Sequence, residues 1–418
     1  MAEIEIPQYF ICPISLQIMK DPVTTMLGIT YDRESIEKWL STAKDHSLTC
    51  PVTKQPLPKH SDLTPNHTLR RLIQAWCSDN ATNGVDRIPT PKSPLEKFHV
   101  LKLVRDLELP HHNLYQHALM KMETLAMENE RNRSVMAEAG VARVMISFIT
   151  WSFKQGTTTS TYLEKALRIL RLVWSTSSST SNIRPLVIEN LEFISTLTWV
   201  LQQHGHDDHK VVIVNEAMPV LKTTIHAASS SLLSCLKLEF FKEIVAVLRN
   251  HKVISKQAIK SALQVLTETC PVGSNRIKIV EAGAVFELVE IELEKPEKNI
   301  TELAFELLAH LCNCADGREQ LLQHAGSIAV ISKRILRVSP ATSDRAVHIL
   351  SLIAKFYGSK EVVSEMLRVG AVTKLCMVMQ AACEAYLKEK ARGILRLHSI
   401  AWNNSPCISI YLLTRYQR

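Results

Sequence analysis

Glycine is scarce in this chain. Twelve glycines in 418 residues are under half the usual share of about 7%, which argues against an all-β protein built on many tight turns. Helices are therefore expected. No two of the ten cysteines, at positions 12, 50, 77, 235, 270, 312, 314, 376, 383 and 407, stand at C-x-x-C spacing, so neither a disulfide framework nor a zinc knuckle is indicated. They read as reduced thiols, many of them buried as small hydrophobes. No apolar run reaches the roughly 18 residues of a membrane span. The first residues, MAEIEIPQYF, put Glu3 and Glu5 where a secretory leader needs basic and then apolar residues, and Ala2 removes the myristoylation signal. A soluble, intracellular chain is expected.

What is present describes a folded protein, with 46% hydrophobic and 22% charged residues. The length suits about two to four domains, or one small domain ahead of a repeat array. Charge is uneven. Residues 1–80 hold 8 basic and 9 acidic side chains, whereas the remainder holds 41 and 32. The net +8 therefore belongs to the long C-terminal part. No dense Lys/Arg run interleaved with aromatics accompanies it, so a solvated basic surface is the reading, not nucleic-acid binding.

Residues 7–78 are compact and rich in turns. In YDRESIEKWL, Asp32 is placed to cap a helix carrying Ile36, Trp39 and Leu40 on one face. In PNHTLRRLIQAWC, Asn66 is placed to cap a second helix, with Leu69, Leu72, Ile73 and Trp76 at i, i+3, i+4 and i+7. Two loops each centre on a Cys-Pro pair, Cys12-Pro13-Ile14-Ser15 and Cys50-Pro51-Val52-Thr53. Where a zinc RING finger has a second thiolate, these loops have Ser15 and Thr53, and hydroxyls are poor zinc ligands. Metal binding is not expected. Loop hydrogen bonds, and ion pairs drawn from Asp21, Arg33, Glu34 and Glu37, are the expected substitutes. Cys12 and Cys50 lack a convincing base, His46 being the nearest candidate, so covalent chemistry is not expected either.

Together YFICPISLQIMKDPVTTMLGITYDRESIEKWL, TCPVTKQPL and TPNHTLRRLIQAWC closely resemble the U-box, the metal-free relative of the RING finger, in the form found in plant U-box ubiquitin ligases. The match covers 7–78 almost without gaps. The resemblance implies a small α+β domain that holds a ubiquitin-charged conjugating enzyme beside a substrate, with no covalent intermediate and no cofactor. It also implies a docking surface of Ile14, Leu16, Trp39 and Pro51. Lys54 falls where many RING and U-box ligases carry an arginine bridging enzyme and ubiquitin. A lysine keeps the charge without the bidentate fork.

Residues 79–94, DNATNGVDRIPTPKSP, are polar and proline-rich and read as a linker. Thr90 and Ser93, each before a proline, are phosphorylation candidates, as is Thr64 before Pro65; turn chemistry is an equal reading for the two linker sites. A phosphate at Thr64 would add about −1.5 to −2 charges just ahead of the Asn66 helix start, on a surface that related U-boxes use for self-association. A switch of oligomeric state is the resulting expectation.

From residue 95 onward a loose repeat appears in NRSVMAEAGVARVMISFI, NRIKIVEAGAVFELVEIEL, REQLLQHAGSIAVISKRIL and SEMLRVGAVTKLCMVM. Each joins two helices through a glycine, at Gly140, Gly283, Gly326 and Gly370, the last three about 43 residues apart, in the armadillo/HEAT range. Degenerate copies near LVIENLEFISTLTWVL and LEFFKEIVAVL bring the array to six or seven repeats. It resembles the armadillo array that follows many plant U-boxes, and implies a solenoid over 95–418 whose groove binds protein substrates. Asn313, in LCNCADGR, is a groove candidate of the kind that binds a peptide backbone, with a helix-end role equally open. The histidines His204, His206 and His209 of QQHGHDDHK read as a polar loop, not a metal site.

The expected protein is mainly α, with a U-box over 7–78 and an armadillo domain over 95–418. Its expected function is that of a U-box E3 ubiquitin ligase. The alternative is a non-catalytic armadillo adaptor whose U-box serves dimerisation. By resemblance the setting is plant stress or immune signalling in the cytoplasm, with membrane-peripheral and nuclear locations also open.

Overall fold

The computed structural model describes residues 6–42, 49–57, 62–81, 85–86, 95–108, 112–155, 160–175, 180–202, 208–403, 405–406 and 408–409. The chain divides into two compact units, Met1–Pro94 and Leu95–Arg418.

Among the described residues, the first unit holds a three-stranded antiparallel sheet and two α-helices, after a short 3-10 turn at Gln8–Phe10. Strands β1 (Pro22–Thr24), β2 (Thr30–Asp32) and β3 (Thr64–Pro65) lie in the order β2-β1-β3. Val23 at the centre pairs with Tyr31 on one side and Pro65 on the other. Helix α1 (Arg33–Thr42) follows β2 directly, and α2 (His67–Asp79) follows β3. Asn66 caps α2 as the sequence indicates, its Oδ1 accepting the Leu69 amide at 3.0 Å. Asp32 does something the sequence did not specify. It ends β2, and its Oδ1 accepts the amides of Lys20 and Asp21 at 2.8 and 2.9 Å, tying the first loop to the sheet.

The core of this unit is small and complete. Phe10, Cys12, Met19, Val23, Tyr31, Ile36, Leu40, Cys50, Leu57, Ile73 and Cys77 are buried together. Leu72 departs from the helical-face reading: it is 53% exposed, and Cys77, four residues after Ile73, takes the inward position. Beyond α2, Val85 donates its amide to Asn80 and packs on this core, so the unit's packing extends past residue 78.

The second unit is an α-solenoid. An opening pair, Lys97–Glu108 and His112–Glu128, precedes six helical triplets among the described residues. The third helices of successive triplets, Ser160–Trp174, Asp208–Ala227, Lys256–Thr269, Lys298–Leu311, Pro340–Phe356 and Ala385–Leu397, stack in one row that begins on His112–Glu128. Each helix hides its apolar face only against neighbouring repeats, which makes one continuous core from Val100 to Trp402.

Two recurrent devices build the triplets. Gly140, Gly283 and Gly370 take left-handed φ of +80°, +88° and +79° between first and second helices, where a side chain would be strained. Gly326, at the matching place, has φ of −88°, so the fourth glycine turn is of another kind. The other device is an Asn or Arg side chain near the start of a first helix that reaches back to the preceding helix. Asn132 and Arg133 donate to the carbonyls of Leu125 and Ala126, Asn275 to Thr269, and Arg318 to Cys312. Each of these satisfies a free carbonyl at the end of the preceding long helix.

Candidate functional site

The two Cys-Pro loops are near copies of one another. CPISLQ from Cys12 aligns with CPVTKQ from Cys50. In each, the cysteine amide donates to the glutamine carbonyl five residues on, Gln17 or Gln55, at 2.8 Å. In each, the residue four after the cysteine donates back to the cysteine carbonyl, from Leu16 at 2.9 Å and from Lys54 at 3.0 Å. Both of those residues are forced into left-handed backbone, with φ of +55° at Leu16 and +59° at Lys54. Short bridges close the loops, between Ile11 and Ile18 and between Thr49 and Pro56.

The cysteine sulfurs act as buried hydrogen-bond acceptors at the centre of the loops. Cys12 Sγ accepts the Asp32 amide at 3.3 Å, with further bonds from the amides of Ser15 and Ile14 and from the Ser15 hydroxyl. Cys50 Sγ accepts the Thr53 amide at 3.4 Å and the Thr53 hydroxyl, and lies 3.1 Å from the Tyr31 hydroxyl. Ser15 and Thr53, at the positions of absent thiolates, therefore bond to the thiols that remain. Burial pushes the Cys50 thiol up, but the bonds from Thr53, Tyr31 and Val52 outweigh it and bring it down to about 7. The same balance leaves Cys12 below its ordinary value, while burial and the Cys50 bond drive Tyr31 up.

Charges complete the scaffold. Arg33 Nε holds Asp21 at 2.6 Å, Arg70 reaches the other Asp21 oxygen at 3.3 Å, and Arg33 also pairs with Glu37 at 3.6 Å. Of the four charges singled out from sequence, Asp21, Arg33 and Glu37 thus form the network. Among the described residues, no three His, Cys, Asp or Glu side chains converge on a space fit for a metal.

The outward residues differ in degree. Leu16 is 77% exposed, Ile14 is half-buried against the core, Pro51 is half-buried, and Lys54 is exposed. Trp39 is 38% exposed and donates its Nε1 to Thr49 O at 3.0 Å, so it braces the second loop as well as facing solvent. Val52, 50% exposed, was not picked out from sequence. Its signal is the alignment of the two loops, where it stands opposite Ile14. Thr64 is exposed on β3, in an open depression with Thr24, Met26, Asp62 and His67. Thr90, Ser93, His46, His204 and His206, and the side chain of His209, lie outside the described residues.

In the second unit, Asn313 is exposed and its Nδ2 donates to Ala309 O at 3.1 Å, the helix-end bond of Lys298–Leu311. Successive third helices are tied by ion pairs that the sequence did not announce. Glu123 binds Lys165 and Arg168, Glu216 binds Arg168 and Arg171, Glu297 binds Lys260, Glu306 binds Arg345, and Asp344 binds Lys390. No single helix among the described residues is long and apolar enough to cross a membrane.

A model of the U-box domain matches residues 6–82, and a model of the plant U-box protein ARM repeat region matches residues 99–418. Among relatives from Arabidopsis thaliana, the E3 ubiquitin-protein ligase PUB24 is 42% identical over 452 residues, covering 99% of this chain and 96% of that protein. The E3 ubiquitin-protein ligases PUB23 and PUB22 are 39% and 37% identical, each covering 99% of this chain and 98% and 99% of their own lengths. Among solved structures, an engineered protein from the Northeast Structural Genomics Consortium superposes with a TM-score of 0.51 at 19% identity, over 72% of this chain and 68% of that one. That likeness speaks to the helical solenoid alone.

Proposed function

Because the chain belongs to the plant U-box proteins that carry an armadillo-repeat region, we propose that it is an E3 ubiquitin-protein ligase acting by positioning. The ubiquitin-charged conjugating enzyme docks on the paired Cys-Pro loops through Leu16, Ile14, Val52, Pro51 and Trp39. The observation that carries this reading is the pair of loops itself. Apolar side chains as exposed as Leu16 and Val52 stand on backbone held from beneath by buried sulfurs and a charge network, as a small transient interface with a few strong contacts requires.

Cys12 and Cys50 are fully buried, which is consistent with a ligase that never takes ubiquitin onto its own thiol. Rate enhancement then comes from the raised effective concentration of a substrate lysine beside the thioester. Lys54, at the end of the second loop, supplies a cation toward ubiquitin. The row of third helices is the inner layer of an armadillo array and selects the protein substrate, with Asn313 on its rim. Self-association through the first unit, control by phosphate at Thr64, Thr90 or Ser93, and a cytoplasmic role in plant stress or immune signalling complete the proposal.

The test is ubiquitin discharge and chain formation with a panel of conjugating enzymes, run with and without a zinc chelator. Transfer is expected to survive chelation and to fall at least about tenfold in Leu16→Ala, with the melting temperature unchanged because Leu16 is a solvent-facing side chain. Ile14→Ala is expected to lose transfer and some stability together, since Ile14 also packs on the core. Absence of transfer with every conjugating enzyme would instead leave the adaptor reading.

A further inference from the structure

We infer that the Tyr31 hydroxyl is a positioning group for ubiquitin transfer: through Cys50 it fixes the second Cys-Pro loop, and with it Pro51, Val52 and Lys54, relative to the first. This rests on the proposed docking role of the loops.

Strand β2 touches both loops through consecutive residues. The Asp32 amide meets Cys12 Sγ in the first loop, and the Tyr31 hydroxyl meets Cys50 Sγ in the second. Side chains alternate along a strand, so Tyr31 points inward where Asp32 cannot. Tyr31 is fully buried and sits opposite Val23, the central residue of the sheet. Its position is thereby set by pairing with the central strand of the sheet. A partner that grips both loops reads the distance between them, and one strand sets that distance.

The ring alone would fill the core; the hydroxyl does something further. A buried hydroxyl needs a hydrogen-bond partner, and here the partner is the atom around which the second loop folds. Cys50 Sγ also gathers the Thr53 amide and hydroxyl, so the Tyr31 bond acts on the turn that presents Val52 and Lys54. The hydroxyl and the sulfur share one hydrogen bond at 3.1 Å. Trp39 also reaches this loop by a hydrogen bond, but it is partly exposed and belongs to the docking face. Tyr31 is the buried tether.

The experiment uses the full chain. Tyr31→Phe, Cys50→Ala, the double variant and Cys50→Ser are compared for discharge of a ubiquitin-charged conjugating enzyme to free lysine, with kcat and KM separated. Hydrogen exchange of residues 49–57 and 11–18 is followed in parallel. Tyr31→Phe is expected to lower kcat/KM about fivefold, the scale of one lost hydrogen bond, and to speed exchange in the second loop while the first is unchanged. Cys50→Ala, which also removes the Thr53 bonds, should lose at least as much, the double variant should be no worse than Cys50→Ala alone, and Cys50→Ser, which keeps an acceptor, should retain most activity. Ile73→Val, a core change on α2 outside either loop's own sequence, serves as the stability control.

The inference fails if transfer follows melting temperature alone across Tyr31→Phe and Ile73→Val, if the Tyr31 and Cys50 losses multiply, or if second-loop exchange is unaltered by Tyr31→Phe. Should the wild type discharge no conjugating enzyme, the ligase reading falls, and the exchange comparison still decides whether Tyr31 holds the loop.

Discussion

Lys54 holds a backbone angle that most residues avoid, with φ of +59°, because its amide must turn back to the Cys50 carbonyl. Left-handed backbone costs a residue with a Cβ about 1–2 kcal/mol, a cost that persists where the neighbourhood overdetermines it. Leu16 carries the same strain in the first loop. Two side chains are thus retained where glycine would be easier, and both face solvent. Lys54→Gly is expected to leave the melting temperature unchanged or higher while reducing ubiquitin discharge, and Lys54→Arg to raise discharge by restoring the bidentate fork. A thermal melt beside a discharge assay reads both. Loss of stability in Lys54→Gly would show that the lysine serves the fold.

At the scale of the elements, the glycine turns separate what spacing reveals from what it conceals. Four glycines at matching places suggested one kind of turn, and three of them share a left-handed φ. The fourth, Gly326, follows a His324 that binds Glu290 and accepts the Gly326 amide at 3.1 Å, which reshapes that turn. Gly370→Ala is expected to cost about 1–2 kcal/mol, since its φ of +79° suits only glycine. Gly326→Ala is expected to be neutral or slightly stabilising, because an added Cβ meets His324 and Leu293 at ordinary contact distance. Chemical denaturation of the two variants distinguishes them. The face of α2 teaches a similar lesson. Leu69, Leu72, Ile73 and Trp76 fit one helical stripe on paper, yet the small core admits Ile73 and Cys77 fully and leaves Leu72 in water.

At the scale of the whole solenoid, repeats have no core of their own, so what joins neighbours decides how far order spreads along the array. Ion pairs between third helices add to the apolar contacts, and those around Arg168 are the most enclosed, with Glu123 and Glu216 side chains only 11% and 12% exposed. Burial raises the Glu123 carboxyl, but the bonds from Lys165 and Arg168 more than reverse that and hold it below the usual range. A carboxyl lowered in the folded state contributes stability above its unfolded value, lost as pH falls through the folded one. The Glu123 contribution is therefore expected to be lost only below about pH 4.5, and a thermal melt followed through that range checks it. Glu216→Gln, which leaves Arg168 and Arg171 without that partner, is expected to cost about 2 kcal/mol, between surface and buried ion pairs. A melt unaffected by Glu216→Gln would show that apolar packing alone joins these repeats.

The parts whose signals are local could be read from the order of residues. The Cys-Pro loops, the Asn66 cap, the helical stripes and the repeat spacing all lie within a turn or two of their own residues, where backbone sterics and hydrogen-bonding needs act directly. The pairing of Ile14 with Val52 was also there to be read, in the match of CPISLQ with CPVTKQ. Meetings across distance in the chain came from packing. Tyr31 and Cys50 are 19 residues apart, Arg70 and Asp21 are 49 apart, and Arg168 and Glu216 are 48 apart. Whether Ile14 or Leu16 faces outward, and which carboxylate an arginine finds, depends on the space left once the chain has packed, and no local preference encodes that space.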